Sequence, residues 1–223
     1  DLSEAYRTKQ NPACPVPQGQ GLNDLYVRFF RMAERQISER TGEGIVCFIS
    51  NYSWLDGLSH PGMRERFLGA FDEVTVDCLN GDKYKTGKLT PTGEPDPSVF
   101  STEHNREGIQ VGTAIALLVR SSRRKEALNK PGMRNAERGT EAQSLVTSAA
   151  AASVRFRHFW GKTKREDLLA ALKAGKKKSY VALKPAVELG FPFVPAVVSS
   201  GYLGWPKLPE LLPVSFPGVK TSR

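Results

Sequence analysis

The chain has 223 residues and carries a net charge of +9, from 32 Lys and Arg against 23 Asp and Glu. This length holds one domain and an appendage, and the apolar and charged fractions are those of an ordinary globular chain. No run approaches a membrane span and no signal peptide opens the sequence, which sets aside a membrane or exported protein as the expectation.

Cys14, Cys47 and Cys78 lack the close spacing of a zinc site. Cys47 and Cys78 fall in apolar runs and read as buried small hydrophobes, and reduced thiols fit a cytoplasmic protein. The positive charge favours a polyanionic partner, most simply nucleic acid.

Residues 1–21 hold Pro12, Pro15, Pro17, Gly19 and Gly21 and read as a loop, an opening that suggests a start further upstream. A helix follows. Leu22, Leu25, Tyr26, Phe29, Phe30, Ala33 and Ile37 recur at helical spacing, with Arg28, Arg31, Glu34 and Arg35 on the other side. Asn23 reads as its N-cap, Asp24 complements its dipole, and Gly42 and Gly44 stop it. Ile45 to Ile49 is an unbroken apolar run, as in a strand buried on both faces of a parallel sheet. Ligands of such sheets gather at the carboxyl ends of strands, here Ser50-Asn51-Tyr52-Ser53-Trp54.

Pro61 begins a short helix to Phe71, with Met63, Phe67 and Phe71 inward. Val74–Leu79 is a second strand. Residues 80–108 form a long loop of the kind that is functional or disordered in compact domains. Ile109–Arg120 is a third strand, with Gly112 at a bulge or close approach. Residues 121–153 read as a linker with the basic cluster SSRRK and an Ala-rich end. Residues 154–178 are strongly basic and interleave His158, Phe159 and Trp160, and Leu168, Leu169 and Leu172 mark a short helix. The rest is dense in proline and aromatics. The order of elements is that of the second half of an open α/β sheet.

No glycine-rich turn joins a strand to a helix, and GKS, GKT, HExxH and GxSxG are absent. His60, His104 and His158 lie far apart, which supports neither a metal site nor a triad.

DLYVRFFRMAERQI followed by GIVCFISNYSWLDG resembles the middle of adenine-N6 DNA methyltransferases of the gamma arrangement. FDEVTVDCLNGD and IQVGTAIALLVR fit the two strands that follow there. The phrases ISNYSWLDGLSHPGMRE and LPVSFPGVKTSR are similar to one subgroup, the Type ISP restriction–modification enzymes. The resemblance covers residues 1–120, extends to the ends of 154–223, and is poor over 121–153.

The resemblance implies a partial Rossmann-like class I methyltransferase sheet, its C-terminal half, followed by a basic, proline-rich appendage. It implies methyl transfer from S-adenosylmethionine to an adenine flipped out of double-stranded DNA. The Asn-Pro-Pro-aromatic motif that would accept the amine hydrogens is missing. Asn11-Pro12-Ala13-Cys14 lacks the second proline and the aromatic. The cofactor's glycine motif is missing too. The catalytic, helicase and nuclease segments are therefore expected upstream, with this chain inactive alone.

By the same resemblance Asn23, Asp24 and Tyr26 lie on the cofactor side, although a capped core helix explains them equally well. Phe100 stands where an aromatic stacks on the flipped base, or simply packs on the sheet. Asn51 and Trp54 sit on the strand-end loop and face DNA, unless Trp54 closes the sheet edge. Arg155, Arg157, Lys162, Lys164 and Arg165 would contact phosphates, or form a solvated helix face. The alternative reading is a non-catalytic DNA-binding or specificity module. The topological expectation is that the three apolar segments lie side by side, with Trp54 and Phe100 opening to one cleft.

Overall fold

A computed structural model describes residues 2–121, 152–173, 180–199, 201–206 and 208–212. The expected linker lies almost wholly outside the described residues, as do Lys176, Lys177, Lys178 and the closing SFPGVKTSR.

Helix α1 is Leu25–Glu34, continued in a wider π-turn over Arg35–Thr41. Gly42 ends it at φ 80°, its amide bonding the carbonyl of Ile37 at 2.7 Å. That left-handed conformation is why glycine stands there. Strand β1 (Gly44–Asn51), helix α2 (Pro61–Ala70) and strand β2 (Glu73–Asn80) follow. A four-residue helix, α3 (Lys83–Thr86), begins the long loop, and β3 (Thr113–Arg120) ends it. Beyond lie β4 (Ser153–His158), α4 (Lys164–Lys173), β5 (Val181–Leu183) and the single turn α5 (Leu208–Leu211).

The five strands form one mixed sheet in the order β1-β3-β2-β4-β5. Strand β3 runs antiparallel between β1 and β2, β4 is parallel to β2, and β5 is antiparallel to β4. The three apolar segments thus lie side by side. Residues expected in an appendage instead extend the sheet as β4 and β5. Nothing in their sequence marks a sheet partner, because the pairing joins β2 to a strand more than seventy residues away.

One face of the sheet is the core. Val46, Val74, Val76, Cys78, Ala114, Ala116, Leu118, Val154 and Phe156 point into it. Met63 and Phe67 of α2 and Val27 and Phe30 of α1 cover them. Burial alternates along β3 and the first half of β2, the period of a sheet with one dry face, whereas Asp77 to Asn80 of β2 are buried on both faces. Trp54 is the hub, with the rings of Phe30, Phe67 and Phe193 at 5.4–5.9 Å from it.

Three expectations are corrected. Strand β1 is an edge strand with one buried face, and Ile45, Cys47 and Ile49 are exposed. An all-apolar run cannot reveal which of its faces finds a partner. Helix α1 is also rotated from the reading of its apolar stripe. It buries Val27, Phe30, Arg31, Glu34 and Ile37 and exposes Leu25, Phe29 and Met32. Finally, residues 1–21 are not a bare loop. Their short 3-10 helix, Leu2–Tyr6, places Tyr6 in the core, and Cys14 is buried as well.

Glu34 explains the rotation. Its buried carboxylate accepts the Tyr6 hydroxyl at 2.6 Å and the Arg66 Nη2 at 2.8 Å, and Arg31 lies 3.0 Å away. A buried charge persists only when so surrounded. Removing it leaves two arginines and a tyrosine without their shared acceptor. Glu34→Ala is expected to cost about 3–5 kcal/mol, seen as a lower urea midpoint. Glu39→Ala, which removes a more exposed carboxylate paired with Arg31 and Arg35, should cost under about 1 kcal/mol.

Candidate functional site

Strands β1, β2 and β4 are mutually parallel in direction, so their carboxyl ends share one edge of the sheet. Asn51, Asn80 and His158 close them. Helix α1 starts at that edge and runs away from it, and its start meets the loop after β1, where the Tyr26 hydroxyl lies 3.2 Å from His60 Nε2. The long loop 81–112 also springs from this edge.

Two buried aspartates hold that loop. Asp82 caps α3, accepting the amides of Tyr84 at 2.7 Å and Lys85 at 2.6 Å, and it also accepts the Gly112 amide at 2.8 Å. Burial works against its charge, but the amides of Lys85, Gly112 and Tyr84 prevail and hold its carboxyl below the usual range. Asp96 accepts the amides of Gly81 at 2.7 Å and Gly161 at 2.8 Å, and pairs with Lys164 at 2.7 Å. Lys164 also donates to the Leu79 carbonyl. The loop after β2 and the turn after β4 are thereby pinned to a common point. Asn80, at φ 51°, makes the corner and donates to the Phe159 carbonyl at 2.8 Å.

Gly112 is a close approach rather than a bulge. A Cβ there would sit 2.4 Å from the Tyr52 ring. Lys85 lies over this ring, its Nζ 4.8 Å from the centroid, and pairs with Asp56. Around this floor, Leu58, Tyr84 and Phe100 are exposed, and Trp160 stacks on His158 at 5.1 Å.

The expected site residues divide. Asn51 is at the strand end, its Oδ1 accepting the Ser53 amide at 2.8 Å. Phe100 is exposed on the long loop, two residues from Ser98, whose backbone packs on Gly81. Lys162 and Arg165 are exposed at the turn before α4 and in its first turn. Trp54, expected at DNA, is fully buried. It therefore shares no open cleft with Phe100. Arg157 and Lys164 were expected at phosphates and are internal. Arg157 pairs with Asp77 at 2.8 Å between the rings of Phe159 and Tyr180. Arg155 pairs with Glu73 across the sheet.

Asn23, Asp24 and Tyr26 do lie at the start of α1, at the strand-end edge. Asn23 does not cap the helix; its Oδ1 accepts from Arg7 at 2.6 Å, and Asp24, in the cap position, makes no side-chain cap bond. The Tyr26 hydroxyl meets His60 Nε2 at 3.2 Å. Asn23 and Asp24 are exposed and Tyr26 is half-buried. The open cavity on α1 lies further along, lined by Phe29, Met32, Ala33 and Phe48. No group of three or more potential metal ligands occurs among the described residues, and no helix there is long and apolar enough to cross a membrane.

Sequence reasoning passed over Asp82 and Asp96, and gave Tyr52 no role beyond its place in the strand-end stretch. The Asn-Gly-Asp run at 80–82 carried a signal, since Asn-Gly marks a turn and Asp favours a helix cap.

Burial, reinforced by the neighbouring Arg64 guanidinium, pushes the His60 imidazole down to about 4. The unfolded imidazole titrates near 6.5. Between these values the unfolded chain binds a proton that the folded chain refuses. Stability should be intact above pH 6.5 and fall toward pH 4, by up to about 3 kcal/mol from this group. Urea midpoints at pH 7.5 and 5.0 check it: His60→Asn should lose that part of the slope.

No family model and no curated protein matches the chain. Solved structures do. The DrdV–DNA complex, determined by cryo-electron microscopy, matches with TM-score 0.52 and 19% identity over 85% of this chain. The ATP-dependent Type ISP restriction–modification enzyme LlaBIII bound to DNA matches with TM-score 0.51 and 18% identity over 85%. A nuclease-deletion mutant of the Type ISP enzyme LlaGI with a DNA substrate mimic matches with TM-score 0.51 and 16% identity, again over 85%. The chain spans 15%, 10% and 15% of those longer chains. In its fold, the chain is similar to one portion of each of these DNA complexes, two of them of Type ISP restriction–modification enzymes.

Proposed function

We propose that this chain is part of a site-specific DNA methyltransferase of a restriction–modification system, a cytoplasmic protein whose strand-end edge faces double-stranded DNA. The observation that carries the reading is the joint one: the segments that resemble a gamma-type adenine-N6 methyltransferase lie side by side in one sheet, and that sheet is similar to portions of three DNA-bound enzymes. The net charge of +9 and the exposed Lys162 and Arg165 agree with a phosphate-binding surface. Exposed Tyr84 and Phe100 beside that edge offer rings on which a base can stack.

Methyl transfer is not expected from these residues unaided. The chain has no Asn-Pro-Pro-aromatic motif, and Asn23 and Tyr26 are engaged by Arg7 and His60. S-adenosylmethionine, the donor in this reading, needs more walls than these residues provide. Those engaged side chains favour a second reading, a DNA-binding module without catalysis.

Two measurements separate the readings. Calorimetry with S-adenosylmethionine should show no binding to the 223-residue chain and clear binding once the remaining methyltransferase segments are present; no binding in the larger protein leaves the module reading. Duplex binding at two salt concentrations should weaken steeply with salt. The double variant Lys162→Ala, Arg165→Ala should lower the log–log slope by about 1–2, while Arg157→Ala should destabilise the fold and leave the slope alone. A salt-independent affinity would rule out DNA contact through these phosphate-binding positions.

A further inference from the structure

Strand β4 ends in a column of rings. Phe156, His158 and Trp160 are spaced two apart, so the alternation of the strand, carried just past its end, sets them on one face. Phe156 belongs to the core. The His158 ring meets it edge-on at 4.6 Å, and the Trp160 indole stacks on His158 at 5.1 Å with 29° between the planes. The column thus runs from the core out to the strand-end edge, where His158 is exposed and Trp160 half-buried.

Both outer rings are held in place. The Asn80 side-chain amide donates to His158 Nδ1 at 3.2 Å and to the Phe159 carbonyl at 2.8 Å. An amide N–H can only donate, so Nδ1 accepts; burial pulls the imidazole below its usual range, which leaves it neutral with its proton on Nε2. Beyond Trp160, the Gly161 amide is bound at 2.8 Å by buried Asp96, the carboxylate that also pairs with Lys164. An indole fixed through both of its neighbours can receive a flat partner at little cost in side-chain ordering. Lys162, two residues on, and Arg165 are exposed cations.

We infer that this column is a subsite for one unpaired nucleotide: its base continues the stack on Trp160 and its phosphate meets Lys162. Bases inside a duplex are already stacked on both faces, so the ring selects a nucleotide released from that stack, and stacking on an indole tolerates any base. The subsite is separate from the Tyr84 and Phe100 rings of the long loop. The inference rests on the DNA reading and adds to it a contact with single-stranded nucleic acid.

Tryptophan emission reads the subsite. Of the three tryptophans, Trp54 is fully buried, so Trp205→Phe leaves Trp160 as the indole that a base can reach. In the 223-residue chain carrying Trp205→Phe, an oligothymidylate should quench the emission and a fully paired duplex should not. Trp160→Ala should weaken oligothymidylate binding about tenfold and duplex binding by less than about twofold, with Trp160→Phe restoring most of the loss. If Trp160 only covers the core, Trp160→Ala lowers the urea midpoint while both affinities stay as they were and the emission ignores the single strand, which overturns the inference. Duplex binding together with a silent Trp160 on the single strand overturns this inference alone. Binding of neither form overturns it along with the DNA reading.

Discussion

The buried carboxylate of Glu34 sets how the first third of the chain is assembled. It gathers Tyr6 from the N-terminal segment, Arg31 from its own helix and Arg66 from α2. Ion pairs at the surface contribute little, but a buried charge that lacks its partners is costly. Helix α1 therefore turns its charged residues toward the molecule and leaves Leu25, Phe29 and Met32 outside. The same rotation places the start of α1 against the loop after β1, where Tyr26 meets His60. One electrostatic requirement thus sets both the open apolar flank and the composition of the strand-end edge.

At that edge the constraint changes character. Asp82 and Asp96 hold thirty residues of loop through backbone amides, not through apolar packing. Amides fixed in this way keep side chains such as Tyr84 and Phe100 outside without dissolving the loop into an ensemble. Long loops built on a rigid scaffold are where binding residues concentrate. The basic residues obey a similar division. Arg157 and Lys164 serve the sheet and the loop anchor, while Lys162 and Arg165, in the same stretch of sequence, remain exposed.

Much of the element order was legible because it depends on local chemistry. Gly42 stops the first helix, Pro61 opens the second, and alternating burial along β3 follows from residues two apart. The side of α1 that faces inward was not legible, because it is decided by Tyr6 and Arg66, 28 and 32 positions from Glu34. The doubly buried reading of β1 failed for a related reason: its apolar composition is suited to neighbours on both faces, and the described residues supply them on one. β4 was read as part of a basic connector since its strand partner, β2, lies far back in the chain. At the site, Asn51 ends β1 and Phe100 lies on the long loop that springs from the same edge. Trp54, Arg157 and Lys164 were misassigned because residue type alone cannot separate a ring that stacks on a base from one that fills a core, or a cation that meets phosphate from one that meets a buried aspartate.

The proposal on which the functional reading turns is that the strand-end edge of the sheet faces nucleic acid. Photo-crosslinking from duplex DNA substituted with 5-iodouracil, followed by peptide mapping, tests it most directly. The account predicts adducts within residues 52–58, 84–106 and 160–165, and none on Leu25, Met32 or β1. Adducts concentrated on the exposed face of β1 or on α1, with the strand-end loops unmodified, would contradict it.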